Sequence, residues 1–164
     1  MLRKLLLMFA LCLLASVSAH AQSVDVYGGY SYFRFRGSPA GNYNGWKLGG
    51  EYKFRSWLGG VVDLGGVYGS PTGAGSSVRT YLFGPQVSWP GPVSPFAHVL
   101  VGGAHFSQGS FGETTFSAGY GVGIDTKVLP KISWRILEGD VIHTHFFGKT
   151  QNDLRLSTGI VFHF

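Results

Sequence analysis

The chain closes on Leu154-Arg155-Leu156-Ser157-Thr158-Gly159-Ile160-Val161-Phe162-His163-Phe164. Every second residue from Leu154 reads Leu, Leu, Thr, Ile, Phe, Phe, while the alternate set reads Arg155, Ser157, Gly159, Val161, His163. Strand side chains alternate between two faces, so the stretch predicts a β-strand with one apolar and one polar face. An apolar face must be covered by a second sheet or by hydrocarbon. The remainder of the chain decides between them.

Working back from this strand, Gly, Pro, Ser and Asn clusters divide the chain into segments of about ten residues or more. They run 24–36, 46–55, 58–69, 78–89, 95–107, 115–128, 132–144 and 154–164. A tilted membrane strand needs about 9–11 residues, so each is long enough to cross. The connections alternate: 37–45, 70–77, 108–114 and 145–153 read as long loops, and 56–57, 90–94 and 129–131 as short turns. Eight strands with both chain ends on the short-turn side produce this rhythm, which a soluble sandwich has no reason to show.

The second, fourth and sixth segments alternate cleanly. Trp46, Leu48, Gly50, Tyr52 and Phe54 oppose Lys47, Gly49, Glu51, Lys53 and Arg55; Tyr81, Phe83, Pro85, Val87 and Trp89 oppose Thr80, Leu82, Gly84, Gln86 and Ser88. Phe116, Ala118, Tyr120, Val122, Ile124 and Val128 oppose Ser117, Gly119, Gly121, Gly123, Asp125 and Lys127. In the first segment Phe33 and Phe35 share parity with Asp25, and in the seventh Arg135 differs in parity from Glu138 and Asp140. A β-bulge in each of the first, fifth and seventh segments would restore the pattern.

Hydrocarbon demands that every backbone polar group be paired, so a sheet surrounded by lipid must close and point its charges inward. The expected fold is all-β: a closed antiparallel eight-stranded transmembrane barrel over residues 22–164. Lys47, Glu51, Lys53, Asp63, Asp125, Lys127, Arg135, Glu138, Asp140 and Arg155 form its predicted interior polar network. Eight strands enclose a lumen that side chains can fill, and inward glycines leave room for long partners. Trp46, Trp57, Trp89 and Trp134 read as interface anchors.

Residues 1–21 read as a cleaved signal peptide: Arg3 and Lys4, an apolar run from Leu5 to Val17, then Ala19-His20-Ala21. That run is too short to span as a helix. Cys12 lies within it, and cleavage leaves a mature chain without cysteine, hence without disulfides. The mature chain carries 11 Lys+Arg and 8 Asp+Glu, a net +3 with no basic cluster, so nucleic-acid binding has no support.

At the closing strand, Ser157, Gly159, Phe162 and Phe164 fit the assembly signal of bacterial outer-membrane barrels: a polar residue, a Gly two later, then aromatic residues three and five beyond. With Val26-Tyr27-Gly28-Gly29-Tyr30-Ser31-Tyr32, Gly119-Tyr120-Gly121-Val122-Gly123-Ile124-Asp125, Ser133-Trp134-Arg135 followed by Glu138 and Asp140, and Gln151 to Gly159, the mature chain resembles the OmpA-like eight-stranded outer-membrane barrels. The resemblance implies an outer-membrane location with both termini periplasmic. It implies lipid and lipopolysaccharide as surroundings, the barrel-assembly machinery and periplasmic chaperones as folding partners, and a monomer. No cofactor or metal is implied. A function is not, because barrels of this size serve as structural proteins, adhesins, channels and enzymes.

The reading favoured is a non-catalytic structural barrel acting in membrane integrity or surface interaction. Two alternatives stand beside it. A lipid A-modifying hydrolase would use His105 and Ser107 near an external rim, with Glu113 in the following loop orienting the His. A narrow pore for small solutes would gate through Glu51 with Arg135 or Lys127. His143 and His145 share a face and could ligate a metal, but the pair lacks a third ligand. His98 and His163 offer less.

Overall fold

In a computed structural model, residues 23–36, 41–70, 75–146 and 149–164 are described. The predicted signal segment, residues 1–21, with its Cys12, lies outside them. The strands are β1 (Ser23–Phe35), β2 (Gly41–Arg55), β3 (Leu58–Gly69), β4 (Ser76–Ser88), β5 (Val93–Gln108), β6 (Phe111–Leu129), β7 (Ile132–Phe146) and β8 (Lys149–His163). Each pairs antiparallel with the next, and β8 returns to β1, closing the barrel. The closing seam runs from Asp25 opposite His163 to Arg34 opposite Leu154. Val24 and Phe164 exchange backbone hydrogen bonds of 3.3 and 2.9 Å at its end. No backbone edge is left over at the seam, as a sheet surrounded by hydrocarbon requires.

Both described chain ends and the turns at 56–57, 89–92 and 130–131 lie at one end, called here the terminal end. At the opposite, far end, the strands run well into the segments read as long loops. The connection between β5 and β6 is only Gly109–Ser110, with Gly109 at φ 59° supplying the left-handed residue of a tight hairpin. Glu113 therefore belongs to β6 and not to a loop. The glycines and polar residues of 108–114 read as breakers in sequence, but an outer wall that rises past the apolar band tolerates them within a strand.

The bulge expected in β7 is present: its register against β8 shifts between Arg135 and Glu138. Ile136 and Leu137 both face outward, so Arg135, Glu138 and Asp140 all face in. In β1 and β5 the expected bulges do not occur, because both pair in unbroken register. In β1, Phe33 and Phe35 instead join Asp25 inside the barrel, each 1% exposed.

The outer face is apolar through its middle, with Val26, Leu48, Val62, Phe83, Val99, Val122 and Ile160 all exposed. Trp57, Trp89, Trp134 and Phe164 ring it toward the terminal end, and Tyr30, Trp46, Tyr68 and Tyr81 toward the far end. Apolar residues with this much free surface outnumber the buried apolar core. That inverts a soluble domain and matches a wall bathed in hydrocarbon between two aromatic girdles.

Candidate functional site

The polar residues of β2, β3, β7 and β8 converge at mid-height in the lumen. Lys47 Nζ lies 2.8 Å from Asp63 Oδ2, 2.6 Å from Glu138 Oε2 and 3.3 Å from Asp140 Oδ2. Arg155 spreads its guanidinium over two of the same carboxylates, with Nη1 2.8 Å from Asp63 Oδ1 and Nη2 2.7 Å from Asp140 Oδ2. The Tyr27 hydroxyl donates to Asp63 Oδ2 at 3.1 Å. These ions are almost fully withdrawn from solvent, so only mutual pairing makes their burial tolerable.

Arg135 forms the next layer toward the terminal end. It donates to Asp125 through Nε at 2.9 Å and Nη2 at 3.0 Å, a bidentate fork. Its guanidinium lies 4.3 Å from the Tyr27 ring centroid and 4.2 Å from that of Phe96, a cation held against two π faces. Glu138 is held by ion pairs to Lys47 at 2.6 Å and Arg135 at 3.5 Å, with the His98 imidazole 3.7 Å away.

His98, set aside on sequence, is a member of this lattice. Its Nε2 is 2.8 Å from Asp140 Oδ1 and its Nδ1 3.3 Å from Gln86 Oε1. Gln86 in turn donates from Nε2 to Glu51 Oε2 at 2.8 Å, which aims its carbonyl oxygen at the imidazole. Lys53 pairs with Asp25 at 2.6 Å, and His163 bridges Asp25 (2.7 Å) and Ser133 (2.7 Å) at the terminal rim. Asp25, His98, Gln86 and His163 are thus network members that were not predicted. Gln86 had been placed inward, and the unbroken β4–β5 register sets His98 opposite it, so the inward position of one carries the other. Of the residues that were predicted, Lys53 is only partly enclosed and Lys127 stands exposed at the mouth.

The lattice sits under a cup of about 230 Å³ open at the terminal end and lined by Asp25, Glu51, Lys53, Gln86, Asp125, Lys127 and His163. Toward the far end the lumen turns apolar. Phe35 stacks on Phe106 (centroids 6.1 Å, planes 16° apart) and meets Tyr43 edge-on at 6.1 Å. Leu82, Leu100, Ala104 and Ile142 fill the space between this stack and the ions. Tyr43 satisfies its hydroxyl on Ser76 Oγ at 3.0 Å, and Ser76 donates on to the Gly69 carbonyl at 3.1 Å. At this level Asp153 accepts from the Arg36 backbone N–H at 2.9 Å and from Thr144 Oγ1 at 3.0 Å. From terminal end to far end the interior is an open polar cup, an ionic lattice and an apolar plug.

Glycines make this packing possible. A Cβ on Gly121 would come within 1.9 Å of Asp140 Oδ1, and one on Gly49 within 2.4 Å of the Tyr27 ring. At the seam, Gly159 faces Gly29, and a Cβ there would meet the Gly28 carbonyl at 2.4 Å. Of the other residues in the predicted assembly signal, Ser157 turns inward to Ser31 at 3.4 Å, while Phe162 and Phe164 face outward.

The candidate chemistry is brought together only in part. His105 and Ser107 share the outer face near the far rim, but His105 Nδ1 is engaged by Thr114 Oγ1 at 2.7 Å. Glu113 pairs with Phe106, whose side chain is buried in the lumen, so register puts this carboxylate on the opposite face from the His and Ser. His143 and His145 are bonded across to Asn152 (2.6 Å) and Thr150 (2.9 Å) on β8. His98, Glu138 and Asp140 bring donor atoms within 4.8 Å of one another, as metal ligands would. The Lys47 ammonium and Arg155 guanidinium already supply positive charge to these carboxylates, so the set does not fit a metal ion. Glu51 lies on the Gln86–His98 side of the lattice and is not paired with Arg135 or Lys127 as the expected gate would require.

No family model matches the sequence, and no curated protein does. Solved structures do match in fold. Neisserial surface protein A aligns with TM-score 0.61 at 16% identity, covering 90% of this chain and 99% of its own. Ail, the attachment invasion locus protein of Yersinia pestis, aligns at 0.55 with 17% identity over 87% and 97%. The N-terminal β-barrel domain of Pseudomonas aeruginosa OprF aligns at 0.55 with 13% identity over 90% and 100%. The chain therefore has the closed eight-stranded fold of bacterial outer-membrane β-barrels. These similarities establish the barrel without singling out its OmpA-like branch.

Proposed function

We propose that this chain is a structural barrel of a bacterial outer membrane, with both termini on the periplasmic side. It contributes to membrane integrity or surface interaction without catalysis. The observation that carries this reading is the filled lumen: paired ions at mid-height and stacked aromatics above them, enclosed by an apolar outer wall. Packing of this kind supports a stabilising wall in preference to a path for solutes. The hydrolase alternative loses support from the register that separates Glu113 from His105 and Ser107. The short far-end connections leave little chain to project from the surface, so any surface interaction would use the rim of the barrel itself. Folding through the barrel-assembly machinery with periplasmic chaperones, and a monomeric state, belong to the same proposal.

The test is reconstitution of the processed chain in liposomes. The expected outcome is no solute-dependent swelling, together with a compact form in detergent that shifts in gel migration only on boiling. Swelling with small sugars would replace the structural role with a pore. A changed lipid A acylation pattern in cells carrying the protein, against cells lacking it, would replace it with an enzyme.

A further inference from the structure

At the terminal mouth, β1, β7 and β8 bring an aspartate, a serine and a histidine into line. Asp25 stands directly opposite His163 across the β1–β8 ladder, and Ser133 pairs with Val161, the inward residue two positions before His163. Diagonal neighbours on one face of a sheet come within side-chain reach, so the imidazole meets both. His163 Nδ1 lies 2.7 Å from Asp25 Oδ1, and its Nε2 lies 2.7 Å from Ser133 Oγ. A carboxylate only accepts, so the neutral ring carries its proton on Nδ1 and leaves the Nε2 lone pair to the Ser133 hydroxyl. Lys53 Nζ holds the other oxygen of Asp25 at 2.6 Å, which fixes the carboxylate. The backbone is fixed as well: the His163 N–H donates to the Lys131 carbonyl at 2.9 Å, and Phe164 beside it exchanges hydrogen bonds with Val24. Hydroxyl to Nε2 and Nδ1 to carboxylate is the order of hydrogen bonds that activates a serine. Asp25, Ser133 and His163 all line the open polar cup of about 230 Å³, so solutes can reach them, unlike the lattice at mid-height.

The geometry points to a hydrolytic site at the terminal mouth that takes small carboxylic esters, with Ser133 as nucleophile, His163 as base and Asp25 as the positioning residue. Ser133 Oγ attacks the ester carbonyl carbon as its proton passes to His163 Nε2. The carbonyl electron pair moves onto oxygen. Positive charge for that oxyanion comes from Lys127, which stands opposite Ser133 on the β6–β7 ladder, exposed at the mouth and lining the same cup. The bond to the alkoxy oxygen then breaks, and His163 returns the proton to the departing alcohol. Water attacks the acyl-serine with His163 again as base, which releases the carboxylic acid and restores Ser133. The sum is ester plus water to acid plus alcohol, with no other reactant. The cup sets the substrate class: its small volume, lined by charged residues and by Ser56, Ser88 and Ser94, suits a short acyl group and a polar alcohol. The structural role proposed above rests on the filled lumen farther in, which this rim leaves untouched; only its exclusion of catalysis gives way.

The test uses the processed barrel folded in detergent, with its compact form checked by heat-modifiable gel migration. The probes are p-nitrophenyl acetate and a fluorophosphonate, which forms an O–P bond to an activated serine as fluoride leaves. A single adduct is expected by intact mass, mapped to Ser133, together with saturable ester turnover. Ser133→Ala should abolish both. Asp25→Asn no longer fixes the imidazole tautomer, so it should lower kcat and the labelling rate together by about a hundredfold or more, with KM little changed. Where Asp25→Asn loses the compact form, His163→Gln serves for the same comparison. Lys127→Gln should slow turnover on the order of a hundredfold. Ser77→Ala, on the outer face of β4 at the far end, should leave both readouts at wild type. Folded wild-type protein without an adduct at Ser133, an adduct or turnover kept in Ser133→Ala, or an equal loss in Ser77→Ala would each overturn the assignment. So would wild-type rates in folded Asp25→Asn or Lys127→Gln. An adduct without ester turnover would overturn it too, because the acyl group would then never be released.

Discussion

Arg155 on β8 holds Asp63 on β3 from across the lumen, Nη1 to Oδ1 at 2.8 Å and Nη2 to Oδ2 at 3.1 Å. The two strands share no ladder, so this fork ties together parts of the wall that backbone pairing does not. Arg155 also pairs with Asp140, and its loss would leave Lys47 to balance both carboxylates, beside the Tyr27 hydroxyl on Asp63 and the His98 imidazole on Asp140. Removing one member of a buried ionic cluster strands the others at low dielectric and costs about 3–5 kcal/mol. Arg155→Met is therefore expected to lower the urea midpoint of unfolding from lipid vesicles, followed by Trp fluorescence, by that equivalent. Because Lys47 serves the same two carboxylates, Lys47→Met and Arg155→Met should be non-additive by about 0.5–3 kcal/mol in a double-mutant cycle. Additive losses would mean that the two cations act independently.

Gly121 and Gly139 lie on neighbouring strands but on opposite faces, and a single methyl group separates their roles. A Cβ at Gly121 meets Asp140 Oδ1 at 1.9 Å and His98 Nε2 at 2.7 Å, inside the lattice. At Gly139 the nearest atom is the Leu156 side chain at 3.5 Å, ordinary contact on the outer face. Gly121→Ala should cost about 1–3 kcal/mol through overpacking, while Gly139→Ala stays near neutral. Equal effects in chemical unfolding would show that the lumen is looser at mid-height than these contacts require.

Strand number, the approximate segments and the inward charges were legible because β2, β4 and β6 alternate without interruption. What escaped was set by contacts that pattern does not encode. In sequence Phe33 and Phe35 call for a bulge, since aromatic residues on a wall are expected outside. Phe35 meets Tyr43 of the neighbouring β2 and stacks on Phe106 of β5, a strand distant in sequence, and that second contact exists only once the barrel closes. On β5, His98 shares one face with Phe96 and Leu100 while Ala97 and Val99 line the other, so both faces read as apolar. Only the register with Gln86 distinguishes them. At the far end, Asn42, Asn44, Thr114 and Asn152 fall in segments that read as loops in sequence yet lie on strands. Headgroup-level wall carries polar side chains on strands as readily as a loop does.

The Phe35–Phe106 stack closes the lumen above the ions, which makes its stability and its barrier function separable. Phe106→Ala removes one of the largest fully buried side chains from a plug bounded by strands on all sides, where collapse is limited. The expected loss is about 3–5 kcal/mol in vesicle unfolding. The ionic lattice below stays in place, so the same variant should remain impermeable to sugars in a swelling assay. Permeability in Phe106→Ala would show that the apolar plug, and not the lattice, is the seal.

Val122 on β6 separates a wall facing lipid from one facing water more sharply than any lumen residue. It is 65% exposed on the outer face, between Tyr120 and Ile124, and its neighbours across the ladder are Ala97 and Gly139. In water an Arg at so open a position would be harmless, within about 0.5 kcal/mol of wild type. In a bilayer the same guanidinium sits near mid-plane with no polar partner and costs about 2–4 kcal/mol. Val122→Arg should therefore destabilise the barrel in phospholipid vesicles by that amount, with a smaller loss for Arg near either aromatic girdle, as at Tyr68. A flat profile along the outer face, with no penalty at its centre, would remove hydrocarbon as the environment of this wall.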